Sequence, residues 1–220
     1  MCASLTHSKP VGKIAVILID IQHSFVLGSW SKPVSVQRIK ESFENCKKLV
    51  ESLLPTVPVL LTQCPFTNPK DRAFHSSVKG LFEERNYPVV YKYDTNIMEA
   101  DGAESWVKSM LEKKVNTIVI GGCTTTSCVR VSSSALCQNF VNDPVQFIVD
   151  LSLCGARDSN YVKRCRDCMQ SYMQFGETRN CDLCASSTEG LISPVDLAVE
   201  NMSNAGVLVK EHFDWSPYSV

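Results

Sequence analysis

The strongest constraint on what this chain folds into is a series of short aliphatic runs without polar alternation, spaced along most of its length. The first, KIAVILID at residues 13–20, is typical. A strand that alternates apolar and polar residues keeps one face in water, whereas an unbroken run must be buried on both faces, as inside a parallel sheet. The pattern returns in VPVLLTQ at 57–63, VVYKY at 89–93, NTIVIGG at 116–122, VQFIVD at 145–150 and GVLVK at 206–210. Helical periods lie between these runs. Residues 34–54 place Ile39, Phe43, Cys46, Leu49 and Leu53 on one stripe, with Pro55 ending it. Residues 103–113, 127–140 and 195–204 read likewise.

Strands that alternate with helices imply right-handed βαβ crossovers and a helix-covered, mostly parallel sheet. The expected fold class is therefore α/β, a three-layer α/β/α arrangement with about six strands. Ligands in such sheets bind beyond the carboxyl ends of the strands. Asp20, Gln63, Lys92, the turn GGCTTTSC and Asp150 all fall at those ends, so they are expected to converge. At 220 residues the chain fits a single domain over 1–220, with a Cys-rich insert at about 154–190 where strand and helix patterns lapse.

Charge narrows the partners. Twenty-two Lys and Arg stand against 23 Asp and Glu, a formal net charge of −1, so neither nucleic acid nor an anionic membrane is an expected partner and a small-molecule substrate is. A homo-oligomer is left open. The first residues, MCASLTHSKPVG, carry no apolar signal core, and IAVILI is far shorter than the roughly 20 residues of a membrane helix. A cytoplasmic, intracellular chain is expected. No Gly-rich phosphate loop follows a strand.

Eleven cysteines are many for such a chain, and an odd number cannot pair off completely. Cys128 ends the run GGCTTTSC and opens an amphipathic helix, where unpaired N–H groups and the positive end of the helix favour thiolate over thiol. Cys165-x-x-Cys168 and Cys181-x-x-Cys184 stand twelve residues apart. Four soft thiolates at this spacing suit one tetrahedral, structural Zn2+ per chain, with no open position for catalysis. Disulfides or four free thiols are the alternatives.

GGCTTTSCVRVSSSAL at 121–136 closely resembles the nucleophile turn of the isochorismatase-like cysteine hydrolase superfamily. IAVILIDIQHSF at 14–25 resembles that family's first strand, and VVYKYDTNIM at 89–98 the segment bearing its catalytic lysine. The resemblance covers roughly residues 13–150 and implies a Rossmann-like hydrolase fold. It makes Cys128 the nucleophile, Asp20 the base and Lys92 the cation that orients the pair. It also implies a cis peptide at Cys123–Thr124 and an oxyanion hole from the N–H groups of Thr124 and Cys128. No catalytic cofactor is expected.

Two departures bear on substrate. Family members that hydrolyse nicotinamide carry an Asp-x-His pair and further histidines after the second strand, where this chain has LTQCPFTNPKDRAFH and a lone His75, so nicotinamidase activity is not expected. True isochorismatases often lack the cysteine, so Cys128 argues for acyl or C–N chemistry. Vinyl ether cleavage with Asp20 as acid remains the alternative, as does a non-catalytic interaction module built on the zinc-bound insert. Gln22, Trp30 and Arg157 are candidate substrate-binding residues, with packed-loop or structural roles as alternatives, and His23 and Phe25 are expected to be ordinary packed loop residues.

Overall fold

The computed structural model describes residues 12–31, 34–176, 181–186 and 189–220. The expectation for residues 1–11, and parts of the Cys-rich stretch at 177–180 and 187–188, lie outside the described residues. The aliphatic runs form six strands: β1 (Lys13–Ile19), β2 (Val59–Gln63), β3 (Val89–Tyr91), β4 (Val115–Cys123), β5 (Gln146–Gly155) and β6 (Leu208–Lys210). They pair in the order β3-β2-β1-β4-β5-β6, every pair parallel. β1 stands in the middle, with Val16 opposite Val59 on one side and Val119 on the other.

The two-residue period of β1 explains the layers. Ala15, Ile17 and Ile19 join the apolar cluster on one face, and Ile14, Val16 and Leu18 the cluster on the other. On the second face lie α1 (Gln37–Ser52), α2 (Pro69–Arg72) and α3 (Ser76–Arg85), with Phe43 of α1 and Phe82 of α3 in the cluster. On the first lie α4 (Ala103–Glu112) and α5 (Arg130–Asn139), through Val107 and Leu136. Beyond the Cys-rich helices α6 (Arg166–Phe175) and α7 (Asp182–Ser186), α8 (Pro194–Asn204) returns to that face with Met202. Each aliphatic side chain so buried contributes about 1.5–3 kcal/mol relative to exposure, which is why the core ignores the helix-poor stretches between. Ser193 and Asp196 close a capping box at the start of α8, with Pro194 at its first position.

Three expectations are corrected. α6 and α7 occupy the stretch where regular structure was expected to lapse, and α2 and α3 had no helix assigned to them. β5 does not end at Asp150. It shifts register after Val149 and runs on, so that Cys154 and Gly155 pair with Gly122 and Cys123. Asp150 is consequently set back from the sheet end, where its carboxylate accepts from Ser152 N and Oγ and from Trp215 Nε1 at 3.0, 2.6 and 2.9 Å. Among the described residues no helix is long and apolar enough to cross a membrane.

Candidate active site

Four neighbouring strands deliver one side chain each to the same place. Asp20 follows β1, Cys64 follows β2, Lys92 follows β3, and β4 leads into the turn that carries Cys128. Asp20 has a left-handed backbone, φ 52°, uncommon for a non-glycine residue and often found at functional sites. Beside it β4 approaches closely. A Cβ on Gly122, which has φ 120°, would stand 2.1 Å from the Ile19 carbonyl oxygen, so only glycine fits there.

The turn itself begins with a cis peptide between Cys123 and Thr124, as the sequence resemblance implied. Residues Thr125–Val129 then form one π-helical turn, closed by the Thr124 carbonyl, which accepts from Ser127 N at 3.0 Å and Val129 N at 3.1 Å. Cys128 sits inside that turn, ahead of α5, and is 7% exposed.

Lys92 Nζ lies 2.8 Å from Asp20 Oδ2, and both side chains are fully buried. Lys92 also donates to the Asp94 carbonyl at 3.2 Å. The other carboxylate oxygen, Oδ1, accepts from Thr62 Oγ1 at 2.5 Å, and the same hydroxyl oxygen accepts from Asp20 N at 3.1 Å. Burial by itself would depress the Lys92 ammonium, but Asp20, with Cys128 and Cys64 behind it, outweighs burial and raises its pKa.

Cys64 is the residue that the sequence did not mark. Its Sγ donates to Asp20 Oδ2 at 3.3 Å and accepts from Lys92 Nζ at 3.6 Å. Ligand atoms of Asp20, Cys64 and Cys128 all lie within 4.8 Å of one another. The neighbouring Cys64 thiol is the largest influence on the Cys128 thiol and lowers its pKa; burial and Asp20 oppose it, and Lys92 assists. Cys128, then burial, raises the pKa of the Cys64 thiol. Burial also moves the other interior thiols, Cys46, Cys123 and Cys154, upward.

The candidate substrate residues are placed differently from one another. Gln22 is fully buried and turned inward, its Nε2 donating to the carbonyls of Cys64 and Arg72 at 2.8 Å each and its Oε1 accepting from Cys64 N at 2.8 Å. With its amide so engaged it holds the chain in place rather than lining a pocket. Trp30 and Arg157 meet each other: the guanidinium stacks 4.0 Å over the indole and donates to the Trp30 carbonyl at 3.1 Å. Phe25 is a core residue against Trp30 and Phe66, and His75 Nδ1 accepts from Ser77 N at the start of α3. A cavity of about 510 Å³ touches the turn only at Thr125 and is lined by Arg38, Asp196, Glu200 and Glu211 rather than by the buried trio.

A second constellation gathers the sulfurs of Cys165, Cys168, Cys181 and Cys184 within 4.8 Å of one another, with Cys165 and Cys181 3.9 Å apart. A tetrahedron with metal–sulfur bonds of about 2.3 Å has sulfur–sulfur edges of about 3.8 Å, so the donor set fits zinc. The backbone N–H of Cys168 leads in lowering the Cys165 thiol to about 7. The quartet is tied to the nucleophile turn. Tyr172 of α6 donates to Asn160 Oδ1 at 2.8 Å, and Asn160 Nδ2 donates to Thr126 Oγ1 at 3.2 Å.

Residues 14–163 match the family model described as the Isochorismatase domain. No curated protein is matched by the sequence. Among solved structures, the fold is similar to an isochorismatase from Pseudomonas putida KT2440, at 13% identity and TM-score 0.55, covering 92% of this chain and 91% of that one. It is also similar to a nicotinamidase from Bacillus subtilis, at 12% identity and TM-score 0.56, covering 90% and 99%. A ribonuclease from Caenorhabditis elegans aligns at 13% identity and TM-score 0.55, over 90% of this chain and 76% of that one. At these identities the likeness is one of fold.

Proposed function

Because this chain belongs to the isochorismatase family and is a hydrolase, we propose that it cleaves a small-molecule substrate through a covalent intermediate on Cys128. The observation that carries the reading is the wholly buried Lys92–Asp20 ion pair standing beside a thiol whose pKa is lowered. Two charges leave water only at a cost of several kcal/mol per ion, so a packed apolar pair would serve stability as well. An acid, a cation and a thiolate kept together at strand ends serve chemistry better.

In this mechanism Asp20 takes the Cys128 proton and the sulfur attacks a carbonyl or equivalent carbon. The oxyanion meets the N–H groups of Thr124 and Cys128, donors each worth about 3 kcal/mol in transition-state stabilisation. Asp20 then gives its proton to the leaving group, and as base it activates the water that releases the second product. Lys92 balances the charge of Asp20 and thiolate throughout. No step calls for a catalytic cofactor. Cys128 at this position favours acyl or C–N cleavage over vinyl ether cleavage. The charge balance of 22 against 23 supports a small substrate rather than a polyanion.

The same reading assigns Cys165, Cys168, Cys181 and Cys184 to one structural zinc ion per chain, within one domain whose Cys-rich insert spans about 154–190. A reducing, cytoplasmic setting suits both thiol sites. The test is brief labelling with limiting iodoacetamide on zinc-loaded protein, followed by mass mapping. Cys128 is expected to label first, and Cys128→Ala to lose turnover by up to about a millionfold, as nucleophile removal does in well-studied triads. Labelling of Cys137 or Cys154 with Cys128 untouched would sink the nucleophile assignment.

A further inference from the structure

The mechanism above leaves Cys64 without a chemical task, although its sulfur touches the proposed base and cation and lies within 4.8 Å of the proposed nucleophile's sulfur. Three donors at this spacing also resemble a soft-metal site, but the cation there is already Lys92, 2.8 Å from Asp20 and 3.6 Å from Cys64. A thiolate with a second thiol at its side has another chemistry, that of a peroxide-sensing pair in which one sulfur is oxidised and the other resolves it. We propose that Cys64 is the resolving thiol for Cys128, and that peroxide converts the two into a reversible disulfide that closes the active site.

The steps balance. The Cys128 thiolate attacks one oxygen of hydrogen peroxide, the O–O bond breaks, and the departing hydroxide takes the proton that Asp20 received from Cys128. Sulfur is oxidised to sulfenic acid, peroxide is reduced, and water leaves. The Cys64 sulfur then attacks the Cys128 sulfur as Asp20, 3.3 Å away, takes the Cys64 proton. The S–O bond breaks and the second hydroxide leaves with that proton as water. Two thiols and one peroxide become one disulfide and two waters, and an external dithiol reverses the change. The sulfurs, within 4.8 Å of each other, must close to about 2.05 Å for the bond to form. A resolving thiol also protects its partner, since a second peroxide carries an unresolved sulfenic acid on to sulfinic acid irreversibly.

The proposal shares with the preceding section the reactivity of Cys128, and the experiment separates the two. Zinc-loaded protein is treated with hydrogen peroxide in molar excess, remaining thiols are blocked with iodoacetamide, and the digest is read by fragment-resolved mass spectrometry, with and without prior dithiothreitol. Expected is a Cys64–Cys128 linked peptide, two hydrogens lighter than its parts, that disappears on reduction as Cys128 labelling returns. In Cys64→Ser, and in Cys64→Ala, which puts no hydroxyl beside Asp20, Cys128 is expected to gain two oxygens and to stay unlabelled after reduction. Wild-type Cys128 driven to sulfinic acid with no link, or linked to Cys123 in place of Cys64, overturns the resolving role while leaving the nucleophile intact. Cys128 inert to both peroxide and iodoacetamide overturns both readings.

Discussion

The side-chain amide of Gln22 grips the backbone of Cys64 from both sides, donating to its carbonyl and accepting from its N–H, each at 2.8 Å. A bidentate bond to one residue fixes position and orientation together, so the place of the Cys64 sulfur beside Asp20 is set by a residue two positions after Asp20 itself. The loop following β2 is thereby keyed to the loop following β1, which stand side by side because their strands pair.

Gln22→Ala should remove this key and leave the Cys64 N–H short of a partner, whereas the Cys64 carbonyl keeps the Phe66 N–H and the Arg72 carbonyl keeps Gln63 Nε2. An unsatisfied buried group costs about 1–3 kcal/mol, so the expected loss is about 2 kcal/mol. For a chain of this size that is a fall of roughly 4–8 °C in Tm, measurable by calorimetry. A fall below about 2 °C would show that the clamp is not needed to hold the loop.

Lys92→Met should destabilise the fold more than its lost contacts suggest, because Asp20 is left charged and buried. Breaking such a pair costs about 3–5 kcal/mol. The double variant Asp20→Asn/Lys92→Met removes the orphan charge and should recover part of the loss, which denaturant titration of wild type, Lys92→Met and the double variant measures. The raised pKa of Lys92 fixes the pH dependence. A cation whose folded pKa lies above its unfolded value of about 10.4 contributes fully below that value and is lost only as pH rises through the folded one. On the lysine side this pair should therefore hold across the neutral range and weaken in strong base.

The reaction of Cys128 with iodoacetamide should follow a titration curve displaced to low pH. Its folded pKa is lowered, so the thiolate and its stabilising contribution persist above the ordinary thiol value of about 8.5 and are lost as pH falls through the folded value. Because the Cys64 thiol leads among the causes, Cys64→Ala should move the midpoint of the rate profile upward. An unchanged midpoint would transfer the effect to Lys92 and the turn.

The sheet was legible because burial on both faces demands unbroken aliphatic runs, and all six expected strands are present. What was lost lies where side chains stop reporting the backbone. β5 continues as LSLCG, partly exposed and polar at Ser152, so its extension past Asp150 had no aliphatic signature. In α3 only Val78 and Phe82 are buried, too few for a stripe. Asp20, Lys92 and Cys128 were legible through motifs in a known order. Thr62 and Cys64 were not, because a position at a strand end says which loop a residue enters, not which way its side chain turns. Gln22 failed for the same reason: nearness to Asp20 along the chain suggested a pocket wall, whereas the left-handed backbone at Asp20 precedes a residue turned into the protein.

The last prediction concerns the Cys quartet and how far its influence extends. With all four sulfurs within 4.8 Å of one another, purified protein should hold about one zinc ion per chain, since four thiolates complete one tetrahedron. Cys181→Ser should lower zinc content and thermal stability together. The sheet has its own core on both faces and should survive, so unfolding should begin in the segment carrying α6 and α7 rather than throughout. The path from Tyr172 through Asn160 to Thr126 makes a further, separable demand. If zinc holds α6, and α6 holds the turn through this path, Tyr172→Phe should keep its zinc yet slow the labelling of Cys128, whereas Cys181→Ser should lose zinc and slow labelling alike. Elemental analysis of protein purified without chelators or metal-affinity resin, paired with the labelling rate, reads both. Zinc well below stoichiometric in the wild type, with four titratable thiols, defeats the metal site. Full zinc in Tyr172→Phe with an unchanged labelling rate confines the quartet to stabilising its own helices.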